Sequence, residues 1–296
     1  MEFINELNVK KTDIEKIIYS YLPKQEGYQK TIFEAMNYSI EAGGKRLRPM
    51  LMQETFRLFG GTNETILHPF MAAIEMIHTY SLVHDDLPAM DNDEYRRGRK
   101  TTHIVFGEAM GILAGDALLN YAFETATIAF SDVLSLHETT KAFAVLAKKA
   151  GVYGMVGGQV VDVESEGQPL TKEKLEFIHH LKTSALIEAS MMIGAILAGA
   201  DEQEVKDIEQ IARHVGLAFQ IQDDILDVTS TIEELGKPIH SDEKNNKTTY
   251  VTLYGLQEAS TKVEEYTNLS LSLLSKYTNQ SAFLYQLIMY LIDRKH

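Results

Sequence analysis

The sequence predicts an all-α protein, one large helical bundle around a central apolar space, with residues 1–296 forming a single domain. Three observations carry that expectation. Apolar residues recur at three- and four-residue steps along most of the chain. Alternating strand patterns are scarce. The six prolines, at 23, 49, 69, 88, 169 and 238, fall between the apolar-periodic runs. No linker is rich enough in Pro, Gly or Ser to mark a domain boundary, and no repeat period emerges.

In chain order, the first helix is expected over roughly 3–22, before Pro23, and the second over roughly 28–42, before Gly43-Gly44. A third covers roughly 46–59 and a fourth roughly 68–87. In the fourth, Met71, Ile74, His78, Ser81 and Asp85 share one face, and Pro88 disfavours helical geometry at Leu87. Two long runs follow over roughly 106–130 and 138–163, then one over roughly 171–199, after Pro169. The next, roughly 203–230, carries the stripe Val205, Ile208, Ala212, Val215, Phe219, Gln222 and Leu226. Beyond Pro238, runs over roughly 247–256, 258–276 and 280–293 complete the bundle.

Composition narrows the function classes. With 45% hydrophobic and 24% charged residues, the chain has the makeup of an ordinary globular protein. A net charge of −14 argues against general nucleic-acid binding. The absence of Cys excludes disulfides, thiolate catalysis and thiolate metal sites. Met1 to Glu6 lacks the basic start and apolar core of a signal peptide. The longest apolar run, Ala185 to Ala200, is interrupted by Glu188 and Ser190 and falls short of the ~20 residues that span a bilayer. No stable membrane insertion and a cytoplasmic location are therefore expected.

Two acidic segments dominate the chemistry. Asp85 and Asp86 fall in the last turn of the fourth helix, with Asp91 just beyond, where the helix dipole is already negative. Far along the chain, Asp223 and Asp227 continue the row of Phe219, and Asp224 continues that of Gln220. Carboxylates bordering an apolar stripe need something to neutralise them. Three basic loops stand out in this acidic chain: Gly43-Gly44-Lys45-Arg46-Leu47-Arg48-Pro49, Arg96-Arg97-Gly98-Arg99-Lys100, and the stretch from Gly236-Lys237 to Lys247. The last two directly follow the two acidic segments. Oxygen ligands without Cys or a His-rich motif favour a hard cation such as Mg²⁺, which completes its shell with water and phosphate oxygens. Arg and Lys beside it would take up the remaining phosphate charge. The constellation reads as a metal–diphosphate site opening on an apolar space, suited to a substrate with a charged head and an apolar tail.

On these residues the sequence resembles the trans-type (E-) polyprenyl diphosphate synthases, in particular the bacterial farnesyl diphosphate synthases, from about residue 26 to the C-terminus. The resemblance rests on Asp85-Asp86-x-x-x-x-Asp91 and Asp223-Asp224-x-x-Asp227. It rests also on Gly44-Lys45-Arg46-Leu47-Arg48-Pro49, Arg96-Arg97-Gly98, Phe106-Gly107-Glu108-Ala109, Gly115-Asp116-Ala117-Leu118-Leu119, Gly157-Gly158-Gln159, Lys182-Thr183, Phe219-Gln220 and Lys247-Thr248-Thr249-Tyr250. Each piece is weak alone; their order and spacing make the match specific.

The resemblance implies an isoprenoid synthase bundle, a homodimer, and a Mg²⁺-dependent condensation. An allylic diphosphate, dimethylallyl or geranyl, ionises and the double bond of isopentenyl diphosphate attacks the cation. A proton is then lost to the released diphosphate. It places Asp85, Asp86, Asp91, Asp223, Asp224 and Asp227 on several Mg²⁺ ions, and Lys45, Arg48, His78 and Arg97 on isopentenyl diphosphate. Arg96, Lys182 and Lys237, with Lys247 nearby, join the allylic diphosphate, and Thr183 and Gln220 line the reacting carbons. On the residues alone, His78 on its apolar face reads as a packed core histidine. Gln159 and Asp162 also match, without an independent chemical argument.

In this family, bulk just before the first Asp motif limits the product, and here Tyr80 and Ser81 stand there. An aromatic followed by a small residue implies a fifteen-carbon product. On an ideal helix Tyr80 lies about 7.5 Å below Asp85 but about 140° around the wheel, whereas Ser81 is nearly in line. The alternatives are a geranylgeranyl diphosphate synthase or a non-catalytic partner subunit, although such a subunit should have lost Asp ligands that are complete here. A terpene cyclase would not need Gly44, Lys45 and Arg48. Lys100 and Ile104 depart from the family, which has Pro and Lys there, and Arg294-Lys295-His296 reads as a basic tail. From another enzyme class, Glu75-x-x-His78 and Glu176-x-x-His179 match the paired motif of di-iron bundles. That reading leaves both acidic segments and every basic loop unexplained.

Overall fold

The computed structural model describes residues 2–229, 248–277 and 282–292. Apart from one two-residue ladder, its regular structure is helical among the described residues, so the fold is all-α as expected. The chain divides into two compact units, Met1–Gln53 with Thr62–Phe143, and Glu54–Gly61 with Ala144–His296.

The first unit is built on α1 (Glu2–Ser20), α2 (Lys30–Glu41), the start of α3 (Leu47–Leu58), α4 (Glu64–Asp85), α5 (Thr102–Phe106) and α6 (Glu108–Thr127). Between α4 and α5, strands β1 (Tyr95–Arg96) and β2 (Arg99–Lys100) pair antiparallel. Helix α4 is its centre and packs on α1, α2 and α6. Phe70, Met71, Ile74 and Ile77 of α4 are fully buried, as are Ile14 and Ile18 of α1. On α6, Gly111, Ala114, Gly115 and Ala122 are buried and small, which lets α4 approach closely.

In the second unit, the C-terminal half of α7 (Leu136–Ala150), from Ala144 on, is followed by α8 (Met155–Glu164), α9 (Lys172–Ile178), α10 (Ala185–Leu197) and α11 (Glu202–Thr229). Then come α12 (Tyr250–Tyr254), α13 (Leu256–Leu274) and α14 (Ala282–Ile292). Every residue of α10 is buried, the signature of a helix covered all round. It packs on α11, which in turn carries α13 and α14. No described helix is long and apolar enough to cross a membrane.

Four expectations are corrected. Helix α4 starts at Glu64, not near 68, so Pro69 lies inside it. There it removes the N–H that would have bonded the Thr65 carbonyl one turn back. The expected 138–163 helix is two helices, broken at 151–154. There a Cβ on Gly154 would lie 1.9 Å from the Lys149 carbonyl oxygen, so only glycine fits. The expected 106–130 helix ends at Thr127, with the separate α5 ahead of it. Within 171–199, a π-helical turn, His179–Ser184, separates α9 from α10.

Candidate active site

In the first unit, the acidic segment is shaped by the end of α4. Asp85 closes the helix, Asp86 caps it in αR geometry, and the chain folds back so that the Asp91 N–H donates to the Asp85 carbonyl at 2.9 Å. Asp86 is buried, Asp85 half-buried and Asp91 exposed. Burial pushes the Asp86 carboxyl up from its ordinary value, although Arg96 grips it with Nε at 2.7 Å and Nη2 at 2.6 Å. Arg96 reaches it from β1. The turn beyond, Arg97-Gly98, has φ of 53° and 74°, the two left-handed residues of a tight hairpin. Glycine accepts that conformation freely and arginine does not. Tyr38 of α2 holds the hairpin down: its hydroxyl donates to the Lys100 carbonyl at 2.7 Å and its ring lies 4.4 Å beneath the Arg99 guanidinium.

The hairpin tip meets the loop between α2 and α3. Arg97 Nη1 donates to the Gly43 carbonyl, and a Cβ on Gly44 would lie 2.5 Å from that nitrogen. Gly44, at φ 140°, takes a backbone conformation that side-chain-bearing residues rarely adopt. Arg48, His78, Arg96 and Arg97 thus form one basic cluster in this unit. Arg48 Nε has no hydrogen-bond partner among the described residues, and burial with Arg97 nearby draws that guanidinium down to about 10. It remains charged at neutral pH. Burial and the surrounding arginines push His78 well below its ordinary value, so it stands here as a neutral imidazole. Lys45 is exposed beside them. Five residues before Asp85, Tyr80 is buried with its ring edge-on to His84 at 5.8 Å, and burial raises its hydroxyl to about 12. Ser81 is half-buried and donates to the His78 carbonyl.

In the second unit, α11 presents Asp223 half-buried and Asp224 and Asp227 buried. Asp224 Oδ1 accepts from Gln220 Nε2 at 3.2 Å, and Oδ2 accepts from the Tyr250 N–H at 2.8 Å. His179 Nε2 stands 3.7 Å from Oδ2. Burial nonetheless pushes the Asp224 carboxyl up to about 7, and burial draws His179 down to about 4. Thr183 Oγ1 donates to Gln220 Oε1 at 2.7 Å, and Lys182 Nζ bonds Asp162 at 2.6 Å. Asp162, His179, Lys182, Thr183, Gln220 and Asp224 line one cavity of about 130 Å³. Lys182 and Thr183 both lie in the π turn. Gly158 of α8 makes room for the turn, since a Cβ there would lie 2.3 Å from the Lys182 backbone nitrogen.

Within the units, then, the structure brings together Arg48, His78, Arg96 and Arg97, and separately Lys182, Thr183, Gln220 and Asp224. Lys237 and Lys247 lie outside the described residues, as do Arg294, Lys295 and His296. Sequence reasoning missed the Arg96–Asp86 and Lys182–Asp162 pairs and the partner of Asp224 on Tyr250. Only the position of Asp162 and Tyr250 among the matched motifs pointed to the last two. In each unit the donor chemistry fits Mg²⁺: hard carboxylate oxygens, with Asp86 shared with Arg96 in the first and Asp224 and Asp227 buried in the second. Among the described residues, no three His, Asp or Glu side chains gather into a metal cage. An ion that keeps waters and phosphate oxygens needs none.

The pattern of the polyprenyl synthetase family matches residues 29–287. The chain is 48% identical to the farnesyl diphosphate synthase of Geobacillus stearothermophilus over 257 residues, 87% of this chain and 86% of that one. It is 46% identical to the geranylgeranyl diphosphate synthase of Cyanophora paradoxa, over 86% of this chain and 84% of that one. Among solved structures, the geranyltransferase of Helicobacter pylori, complexed with magnesium and isoprenyl diphosphate, superposes with a TM-score of 0.83 at 31% identity. That match covers 99% of this chain and 97% of the other.

Proposed function

Because the chain belongs to the polyprenyl synthetase family, we propose that it joins isopentenyl diphosphate head-to-tail to dimethylallyl or geranyl diphosphate and releases farnesyl diphosphate. The observation that carries the reading is the cavity where Lys182, Thr183, Gln220 and Asp224 converge, a cation beside a carboxylate that burial has made avid for positive charge. Asp85, Asp86, Asp91, Asp223, Asp224 and Asp227 are assigned to Mg²⁺. When bound, Mg²⁺ would neutralise diphosphate oxygens and so make the diphosphate a better leaving group.

The chain's own groups account for the rest. Arg96, Lys182, Lys237 and Lys247 are assigned to the allylic diphosphate, the arginine by its fork and the lysines as point charges. Thr183 and Gln220, already bonded to each other, offer oxygen dipoles to the carbons where positive charge develops. Lys45, Arg48, His78 and Arg97 are assigned to isopentenyl diphosphate. Neutral His78 donates one N–H without adding charge. No nucleophile is required, and the released diphosphate takes the proton. Tyr80 is the proposed floor that stops growth at fifteen carbons. The alternative product, geranylgeranyl diphosphate, is favoured by the 46% identity to a synthase of that name. A homodimer in the cytoplasm is part of the same proposal.

The test is incubation of purified protein with Mg²⁺, isopentenyl diphosphate and either starter, with products resolved by chain length and an EDTA control. A metal-dependent fifteen-carbon diphosphate supports the reading. A twenty-carbon product keeps the chemistry and discards Tyr80 as the floor, and no elongation with either starter favours a non-catalytic partner subunit.

A further inference from the structure

We propose that Arg46 and Glu75 form a buried positioning pair that orients the isopentenyl diphosphate site, a proposal resting on the assignment of Lys45, Arg48, His78 and Arg97 made above. Arg46 lies in a run of cations, yet its side chain is wholly buried and directed into the unit. Its Nη1 donates to Glu75 at 2.7 Å, its Nη2 to the Ile40 carbonyl at 2.6 Å, and its Nε to Glu15 at 3.3 Å. One guanidinium thereby ties α1, the end of α2 and the middle of α4 to the loop between α2 and α3. Every nitrogen of its fork is engaged within the protein, which leaves it no face for a ligand.

The loop needs such a tie. Gly43, Gly44 and Arg46 all have positive φ, of 84°, 140° and 52°. A left-handed arginine persists only where its surroundings hold it. The chain reversal it creates turns Arg46 inward while its neighbour Lys45 stays exposed, and Arg48 opens the next turn of α3. Glu75, almost wholly buried, precedes His78 by one turn of α4 and is the carboxylate whose field reaches Arg46, Arg48 and Arg97 alike. The pair therefore sets both where Lys45 and Arg48 stand and how much repulsion they feel. This gives Glu75 of the Glu75-x-x-His78 motif a role as counter-ion, without iron.

The experiment compares wild type with Arg46→Lys, Arg46→Met and the double variant Arg46→Met/Glu75→Met, measuring thermal midpoint, kcat, and KM for isopentenyl and geranyl diphosphate separately. Removing Arg46 alone strands Glu75 and is expected to cost stability, whereas replacing both with apolar side chains of similar volume restores it. The positioning role predicts that the double variant, though stable, keeps a KM for isopentenyl diphosphate raised about tenfold, with kcat and the geranyl KM within about twofold. Arg46→Lys, which keeps the charge but not the fork, should be raised less. A stable double variant with wild-type KM for isopentenyl diphosphate overturns the proposal and leaves the pair a fold determinant. If the double variant does not fold, Arg46→Lys decides: an unchanged KM overturns the proposal and a selective rise sustains it. Wild type that fails to condense the two substrates removes the functional reading itself, and the proposal with it.

Discussion

At the scale of single residues, burial decides which carboxylates matter. Asp224 accepts hydrogen bonds from Gln220 and from the Tyr250 backbone and is still held near 7 by its surroundings. Its charge is thus costly until a cation arrives. Asp224→Asn keeps the shape and the acceptor for the Tyr250 N–H but removes the charge. Its thermal midpoint should stay close to wild type, while kcat falls on the order of 10²-fold or more. Steady-state rates beside a melting curve check this, and a near-normal rate would remove the metal role. Tyr80 invites a separate test, because it is buried yet edge-on to His84. If its ring is the floor, Tyr80→Ala shifts the longest product from fifteen to twenty carbons or more, read by chromatography of the dephosphorylated products. At this scale the Asp pairs and the arginine runs announce their chemistry in residue type alone, whereas Lys182-Thr183 stood out only through the family resemblance. What was not legible is pairing. Nothing in periodicity links Arg46 to Glu75, 29 positions away, or Lys182 to Asp162.

At the scale of elements, the helices were legible because a 3.6-residue apolar period persists over many turns. The exceptions are local. The break at 151–154 was hidden because Val152 and Tyr153 continue an apolar run although both are exposed. The π turn was hidden because one added hydrogen-bond step changes no residue type. That turn is held from two sides. Gly158 and Gly216 leave it room, and buried Glu188 bonds His180 at 2.9 Å together with Lys149 and Arg213. Gly158→Ala drives a methyl into the backbone of Lys182. Overpacking of that kind costs about 1–3 kcal/mol, and the allylic KM should rise with it, as chemical denaturation and substrate titration would register. Glu188 supplies a pH test. Burial opposes its charge, but bonds from His180 and Lys149 outweigh that and hold its carboxyl below the ordinary 4.5. A depressed carboxylate contributes stability that is present above the unfolded value and is lost as pH falls through the folded one. Glu188→Gln should therefore cost about 3 kcal/mol at pH 7, the lower end for a broken buried pair because Lys149 keeps Glu209. The gap to wild type should narrow below pH 4.5. A gap constant from pH 7 to 3 would show that the carboxylate's charge is not what Glu188 contributes.

At the scale of the whole molecule, the question is whether the metal builds the protein or only its chemistry. Among the described residues no all-protein cage gathers around an ion, and each unit has its own apolar core, around α4 in one and α10 in the other. A structural metal would be expected to show the opposite, a closed set of ligands and a core too small without it. Chelation should therefore abolish turnover while leaving helical circular dichroism and the thermal midpoint unchanged. Ligand binding should do more than chelation undoes. With six aspartates assigned to Mg²⁺ in a chain of net charge −14, diphosphate alone meets repulsion and Mg²⁺ alone lacks its phosphate oxygens. Each alone should stabilise little. Together at about 100 times Kd they should contribute about 2.7 kcal/mol, a rise of about 5 °C in the midpoint for a chain of this size. Additive small shifts from Mg²⁺ and diphosphate measured separately would mean that the ion and the anion bind independently, and the shared metal–diphosphate site would have to be abandoned.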